Sequence, residues 1–231
     1  RQNLLSEGKT GKYLKYAFGE IVLVVIGILI ALQVNDWNNN RKNLDLEDKI
    51  LKEIYANLNT DLKDLQSQIE QNNWYINHNS KVLEHLINKT PLNDSLRKYY
   101  SYLYGYGHFS PKTVGYQNLK SQGISLVKND SLRNNISELY ENKYFEIADN
   151  IRPSISNAQD IHLTQIVSNI SHKELYVDAE PMNLELLQNN LQFQESLKWI
   201  VFARQWTNEL YEDGKLNIEK VMEQIKEELN K

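Results

Sequence analysis

Apolar side chains run almost without interruption through one stretch near the start of the chain. Residues 17–34 read AFGEIVLVVIGILIALQV, and the part from Ile21 to Leu32 contains no polar side chain. Eighteen helical residues span roughly 27 Å, close to the hydrocarbon thickness of a bilayer, about 30 Å. Tyr16 and Trp37 flank the run, as aromatic residues often do at membrane interfaces. The pattern predicts one transmembrane helix.

Two other interpretations of this run are weaker. A buried helix of a soluble protein rarely has apolar side chains on every face together with polar flanks. A cleaved signal peptide ends in small residues of the A-x-A type, whereas this run continues as Ala31-Leu-Gln-Val-Asn-Asp-Trp. The sequence therefore favours a signal anchor that stays in the mature protein.

Charge around the anchor predicts its orientation. Residues 1–16 carry a net charge of +3, whereas residues 35–231 carry −6. Basic residues beside a membrane helix favour the cytoplasmic side. We expect an inner-membrane protein with a cytoplasmic N-terminus and a periplasmic C-terminal part.

A heptad pattern follows the anchor and predicts a long helix. Its positions alternate at spacings of four and three, with one polar member: Leu51, Tyr55, Leu58, Leu62, Leu65, Ile69, Asn72 and Ile76. Such a seam packs along another helix, either within an antiparallel bundle or in a parallel coiled coil. We favour the bundle, because enough chain follows to cover the seam.

The rest of the chain is also mostly helical in pattern. Residues 171–183 are expected to form an irregular connection, Asp213-Gly214 to break a helix, and Pro153 to kink one. No region shows the alternation and turns of β-hairpins. The predicted fold is all-α, with one transmembrane helix that continues toward a long-helix bundle. The predicted divisions are a basic segment at 1–16, the anchor at 17–34 and a periplasmic helical domain at 35–231.

Glu20, Gly27 and Ala31 share one face of the predicted anchor helix. Small residues four apart allow two helices to approach closely, and a carboxyl beside them can hydrogen-bond to a partner helix. In the alternative, Glu20 lies near the membrane surface and reaches the headgroups. The face is a candidate for packing between membrane helices, with an ion path past Glu20 as a further possibility.

The tyrosine-rich segment 99–116 (YYSYLYGYGHFSPKTVGY) is the best candidate for a binding surface outside the membrane. Tyrosine combines a large apolar ring with a hydroxyl group, which suits binding surfaces. The candidate partner-binding loop consists of Tyr104, Tyr106, His108 and Phe109. The alternative is that these rings pack the corner between two helices.

No catalytic, cofactor-binding or metal-binding motif is present in the sequence. His78 and His85 are one heptad apart, too far to hold a metal ion without other ligands. The chain has no cysteine. The acidic C-terminal part also argues against nucleic acid as a partner, since nucleic-acid binding needs a basic face. We expect that the protein is not an enzyme and that it binds no cofactor.

Two segments resemble a family of bacterial proteins of unknown function. The stretch LLSEGKTGKYLKYAFGEIVLVVIGILIALQVNDWN and the later GYQNLKSQGISLVKNDSLRNNISELYE are similar to single-pass membrane proteins from Bacteroidota. The resemblance implies that six N-terminal residues belong to a recurring family pattern: Gly8, Gly11, Gly19, Glu20, Gly27 and Trp37. It implies location and architecture but no activity.

Three functions are compatible with the sequence. The first is a membrane-anchored scaffold or interaction protein whose periplasmic domain binds a second copy or other membrane and periplasmic proteins. The second is a periplasmic sensor or ligand-binding domain that uses the tyrosine-rich loop. The third is an oligomeric channel, or an accessory subunit of an inner-membrane machine, that uses Glu20.

Overall fold

A computed structural model describes the backbone of residues 9–105 and 107–231, and their side chains except at 9–13 and 152–154. The elements in this part of the chain are α1 (Lys9–Ile87), α2 (Asp94–Tyr100), α3 (Val114–Gln122), a short 3₁₀ turn (Ile124–Leu126), α4 (Asp130–Glu138), two π-helical segments (Leu139–Lys143 and Phe145–Asn150), α5 (Ile151–Asn169), β1 (Ile170–Glu174), β2 (Asp178–Pro181), α6 (Leu184–Gln188) and α7 (Leu191–Leu229). The predicted predominance of helix is confirmed.

The chain divides into two compact units, Arg1–Lys49 and Ile50–Lys231. Helix α1 belongs to both, since it is continuous over 79 residues. Within the first unit, the most apolar stretch of 18 residues in α1 has a mean hydropathy of 2.5, and none of its residues is buried. Among the described residues, α1 is the one helix long and apolar enough to cross a membrane.

The second unit is a helical bundle, and its core begins at the predicted heptad seam. Leu51, Leu58 and Leu65 are completely buried, whereas the alternate members Tyr55, Leu62 and Ile76 are only half-buried. Asn72, the polar member of the seam, is also buried and donates from Nδ2 to Asn208 Oδ1 over 2.9 Å. Because α7 covers this part of the seam, the heptad pattern closes within one chain, as in the predicted bundle.

Residues 171–183 form ordered structure, so the predicted irregular connection is wrong. β1 and β2 are an antiparallel hairpin, with Ile170 opposite Pro181. The hairpin is held by α2, because the Arg97 guanidinium donates from Nε to Asp178 Oδ1 over 2.9 Å and from Nη1 to Glu180. This ion pairing joins residues about 80 positions apart, which local alternation cannot reveal.

The predicted helix break at Asp213-Gly214 is also wrong. α7 passes through both residues, and Gly214 is buried. A Cβ at Gly214 would lie 2.8 Å from Ile147 Cδ1, so the glycine allows α7 to pack close to the second π-helical segment. Tertiary packing here outweighs the low helix propensity of glycine, a cost of roughly 1 kcal/mol.

The kink predicted at Pro153 stays a prediction, but the helix changes from π-helical to α-helical just before this residue. Two π-helical segments precede α5, and the second ends at Asn150. Proline lacks an N–H, and its ring clashes with the carbonyl four residues earlier in a regular α-helix. The π-helical turns before α5 leave Pro153 in its first turn, where proline is tolerated.

Candidate functional site

The candidate membrane-packing face is exposed along α1. Glu20, Gly27 and Ala31 are all exposed, and a Cβ at Gly27 would meet no atom within 4 Å. The face is therefore free within this chain to receive another helix, and its role in packing remains a prediction.

The four residues of the candidate partner-binding loop lie in different environments. His108 is exposed, Tyr104 is half-buried, and Tyr106 lies outside the described residues. Phe109 is completely buried, with its ring centroid 5.5 Å from that of Tyr144. The assignment of Phe109 to a binding surface is therefore wrong, because its ring fills the core.

The glycines of this loop bring it directly onto α1. Gly105 has a φ of 142°, and a Cβ there would collide with the Tyr75 hydroxyl. A Cβ at Gly107 would collide with the side chains of Gln68 and Gln71. The described part of the loop leaves no room for a ligand against α1, so the geometry gives little support to a ligand-binding loop.

A buried carboxylate fastens two segments to α1. Asp61 is completely buried, and its Oδ2 accepts a hydrogen bond of 2.7 Å from the Tyr144 hydroxyl. Its Oδ1 accepts a hydrogen bond of 2.9 Å from the Lys112 backbone N–H. Burial raises the pKa of Asp61 to about 6, although these two hydrogen bonds act in the opposite direction.

Arg204 is a buried cation on α7. Its Nη1 donates to Asn72 Oδ1 over 3.1 Å, its Nη2 donates to the Gly105 carbonyl, and its guanidinium lies 4.3 Å from the centre of the Tyr75 ring. Burial lowers the pKa of Arg204 to about 10, so it stays charged at neutral pH. Arg204 therefore joins α7, α1 and the loop at a single point.

His162 lies beside Arg204 and stays neutral. Burial, and then the charge of Arg204, lower the pKa of His162 to about 4, against the opposing effect of the Leu103 carbonyl. Its Nδ1 lies 3.0 Å from Ser196 Oγ. The Ser196 hydroxyl donates to the Phe193 carbonyl in the same helix. Such a serine, next to a histidine that is only weakly basic, is typical of a structural contact.

The described His, Asp and Glu side chains form no group of three that could hold a metal ion.

The most distinctive surface lies on the outer side of α7. Trp199 is 57% exposed, Phe202 55% and Trp206 40%. The Trp199 and Phe202 ring centroids are 5.6 Å apart, and all three rings line one groove of about 270 Å³ together with Ile155 and Ala203. We call Trp199, Phe202 and Trp206, with Ile155 of α5, the aromatic face. Large apolar side chains grouped on a surface mark interaction sites more often than single exposed ones.

Comparison with protein families assigns the chain to a family. The model of a family of unknown function, DUF6090, matches residues 20–188. The chain belongs to this family. The predicted relationship to a family of unknown function is thus confirmed. No curated protein and no solved structure matches the chain.

The DUF6090 match contains some of the candidate features and not others. The membrane-packing face, Asp61 and the tyrosine-rich loop lie within it, as does Ile155. The three rings of the aromatic face lie beyond its last matched residue, on α7.

Sequence reasoning missed the aromatic face because α7 has two apolar stripes. One stripe faces inward and includes Phe193, Leu197 and Ile200, all completely buried. The other stripe, at 199, 202 and 206, has the same spacing of three and four residues. A helix that packs on one side needs a single apolar stripe, so the second stripe was the available signal.

Proposed function

We propose that this DUF6090 member is a single-pass, membrane-anchored interaction protein whose helical domain pairs with a second copy through the aromatic face. The observation that carries the proposal is the grouping of three aromatic rings, each 40% or more exposed, on one side of α7. Tryptophan and other aromatic residues are enriched among those that dominate binding energy at protein interfaces.

The exposed area of the aromatic face is large enough for a dimer with a small interface. The three rings together expose roughly 350 Å². When such a patch forms the apolar centre of an interface that is about 60% apolar, two copies bury about 1,200 Å² in total. That area is at the lower end of specific protein interfaces, and anchoring in one membrane raises the effective concentration of the two copies.

The charges beside the anchor support a location for the protein. A basic segment at 1–16 precedes the apolar run, and the basic side of a membrane helix is usually cytoplasmic. With the family resemblance, this supports an inner-membrane protein of a Bacteroidota cell with a periplasmic domain.

Protease accessibility tests the orientation. We expect trypsin to digest residues 35–231 when it is added to spheroplasts, and to leave them intact in inverted membrane vesicles. Digestion in inverted vesicles alone would reverse the proposed orientation. Recovery of the chain in the soluble fraction after cell lysis would refute the proposal that it is anchored in the membrane.

Substitution of one ring tests the pairing. Phe202→Ser is expected to weaken self-association of the full chain at least tenfold, because it removes an apolar group from the centre of the interface. Sedimentation equilibrium in density-matched detergent measures the effect. The fold should be unaffected, since Phe202 is 55% exposed.

Phe145→Ser is the matched control. Phe145 is 57% exposed but lies on the second π-helical segment, outside the aromatic face. We expect it to change self-association less than twofold. Equal weakening by both variants, or a strictly monomeric unchanged chain, would refute pairing through the aromatic face. Loss of pairing on Gly27→Leu alone would instead assign it to the membrane helix.

A further inference from the structure

A second groove lies beside the aromatic face and shares Trp199 with it. Its volume is about 640 Å³, and its walls come from α5 and the start of α7. Ile161, one of the wall residues on α5, is 60% exposed. On α7 the groove is lined by Gln192, Glu195, Ser196 and Trp199. The two grooves together follow the seam between α5 and α7 from Gln192 to Trp206.

The wall residues on α7 have the same spacing in both grooves. The groove of the aromatic face is lined by Trp199, Phe202, Ala203 and Trp206, and the larger groove by the residues seven positions earlier. Four helical residues at i, i+3, i+4 and i+7 form the hole that receives one side chain of a facing helix. The outer side of α7 thus carries two successive holes, one heptad apart. This spacing fits a helix packed along the seam.

The outer side of α7 also supplies side chains that fit these holes. When two identical helices pack parallel and in register, each such hole receives residue i+3 of the partner helix. That residue is Phe202 for the smaller hole and Glu195 for the larger one. The polarity matches in both cases, because the hole for Phe202 is made by three aromatic rings and Ala203, whereas the hole for Glu195 contains Gln192 and Ser196.

The direction of α7 within the bundle favours a parallel pair. α7 runs antiparallel to α1, since Asn208 Nδ2 donates to Asn73 Oδ1 over 2.9 Å and Lys215 Nζ donates to Gln66 Oε1 over 2.6 Å. The two copies of a pair in one membrane enter their bundles through α1 from the same side. Their α7 helices therefore run in the same direction.

The charges along the outer side of α7 limit the length of the contact. Glu195 Oε1 lies 2.6 Å from Lys198 Nζ, so the carboxylate that enters the larger hole brings its own cation. Past Trp206 the heptad continues with Glu209 and Asp213, and facing carboxylates of two copies repel each other. The contact therefore extends from Gln192 to Trp206, about 21 Å along the helix.

We propose that α7 of the second copy lies parallel and in register along the seam between α5 and α7, with Phe202 of each copy in the smaller hole of the other. This inference rests on the proposed pairing, and it adds the partner segment, its direction and a contribution from α5. The arrangement is two-fold symmetric, because each α7 supplies both the hole and the side chain that enters it.

Substitution on α5 tests whether the partner helix reaches the larger groove. Ile161→Ser is expected to weaken self-association of the full chain about fivefold, because Ile161 loses its contact with the partner helix. Val167→Ser is the matched control, since Val167 is 65% exposed on the same helix and lines neither groove. We expect the control to change self-association less than about twofold. Sedimentation equilibrium in density-matched detergent measures both variants.

Disulfide formation tests the direction and the register. The chain has no cysteine, so each substitution introduces a single thiol. In a parallel pair in register, Glu195→Cys places two thiols opposite each other, and we expect most of this variant to form a disulfide dimer when it is oxidised in membranes. Glu209→Cys, carried on a chain with an added tag, is coexpressed with Glu195→Cys. These two positions are about 21 Å apart along parallel helices, so we expect no mixed disulfide.

The outcomes separate this arrangement from the pairing itself. A strictly monomeric unchanged chain would refute both. Self-association without the Glu195→Cys disulfide, or with the mixed disulfide in its place, would leave the pairing intact and overturn the parallel arrangement in register. Equal weakening by Ile161→Ser and Val167→Ser would likewise leave the pairing intact and overturn the contact in the larger groove.

Discussion

Asp61→Asn is expected to be about 3 kcal/mol more stable than the unchanged chain above pH 6, and about equally stable below pH 4. The carboxyl of Asp61 has a pKa of about 6 in the folded chain, against 3.8 for an ordinary aspartate. A difference of about two units corresponds to about 3 kcal/mol of unfolding free energy.

The sign follows from proton binding. Between pH 3.8 and about 6 the folded chain holds a proton on Asp61 that the unfolded chain has released. Stability contributed by this group is therefore fully present below pH 3.8 and is lost as the pH rises through 6. Asparagine cannot ionise, so the variant escapes this loss. Its amide still accepts from the Lys112 N–H and can donate to the Tyr144 hydroxyl.

Urea unfolding of the full chain in detergent, followed by tryptophan fluorescence from pH 3.5 to 8, measures the difference. Asp160→Asn is the control, because Asp160 is exposed on α5. We expect the control to follow the unchanged chain at every pH, within about 0.5 kcal/mol. A constant difference between Asp61→Asn and the unchanged chain would show that the buried carboxyl does not titrate in this range.

Gly115→Ala is expected to destabilise the chain by about 2 kcal/mol, whereas Gly214→Ala should change its stability by less than about 1 kcal/mol. A Cβ at Gly115 would lie 2.9 Å from the Ile54 backbone nitrogen and 3.1 Å from its Cα. Backbone atoms of α1 cannot move aside without the whole helix, so α3 must shift instead.

A shift of α3 also disturbs its polar anchors. The Gly115 N–H donates to Asn57 Oδ1 over 2.9 Å, one turn of α1 before Asp61. At Gly214, in contrast, a Cβ comes within 3 Å only of the end of the Ile147 side chain, and the higher helix propensity of alanine offsets the cost of moving that atom.

Thermal unfolding of the two variants checks the pair. A loss of 2 kcal/mol lowers the Tm of a chain of this size by about 4–8 °C. Equal changes in Tm for Gly115→Ala and Gly214→Ala would contradict the difference in packing described for these two glycines.

The helical fold was predictable because its signals are local and repeated. The heptad positions from Leu51 to Ile69 predict one long helix that packs along one side, and the run at 17–34, which has no polar side chain from Ile21 to Leu32, predicts a candidate span. Both patterns depend only on the period of the α-helix. The bundle was also favoured correctly, since it needs only enough following chain to cover the seam.

The hairpin and the candidate sites depended on contacts that are distant in sequence. The hairpin is held by Arg97, and the buried state of Asp61 depends on Tyr144 and the Lys112 backbone. The local sequence predicts that Phe109 is a loop residue. Its ring is buried because it packs against Tyr144 and Tyr211, which are distant in sequence. Which of the two apolar stripes of α7 faces inward is likewise decided by packing with α1 and α5, so the sequence alone did not single out Trp199.

Photo-crosslinking in the native membrane tests the pairing of two anchored copies most directly. A benzophenone amino acid replaces Phe202 in one variant and the equally exposed Phe145 in another, and both are irradiated in cells. We predict a crosslinked species at twice the 27.1 kDa mass of the chain for position 202 and none for position 145. Crosslinks from position 202 only to other proteins, or a dimer formed equally from both positions, would contradict self-association through the aromatic face.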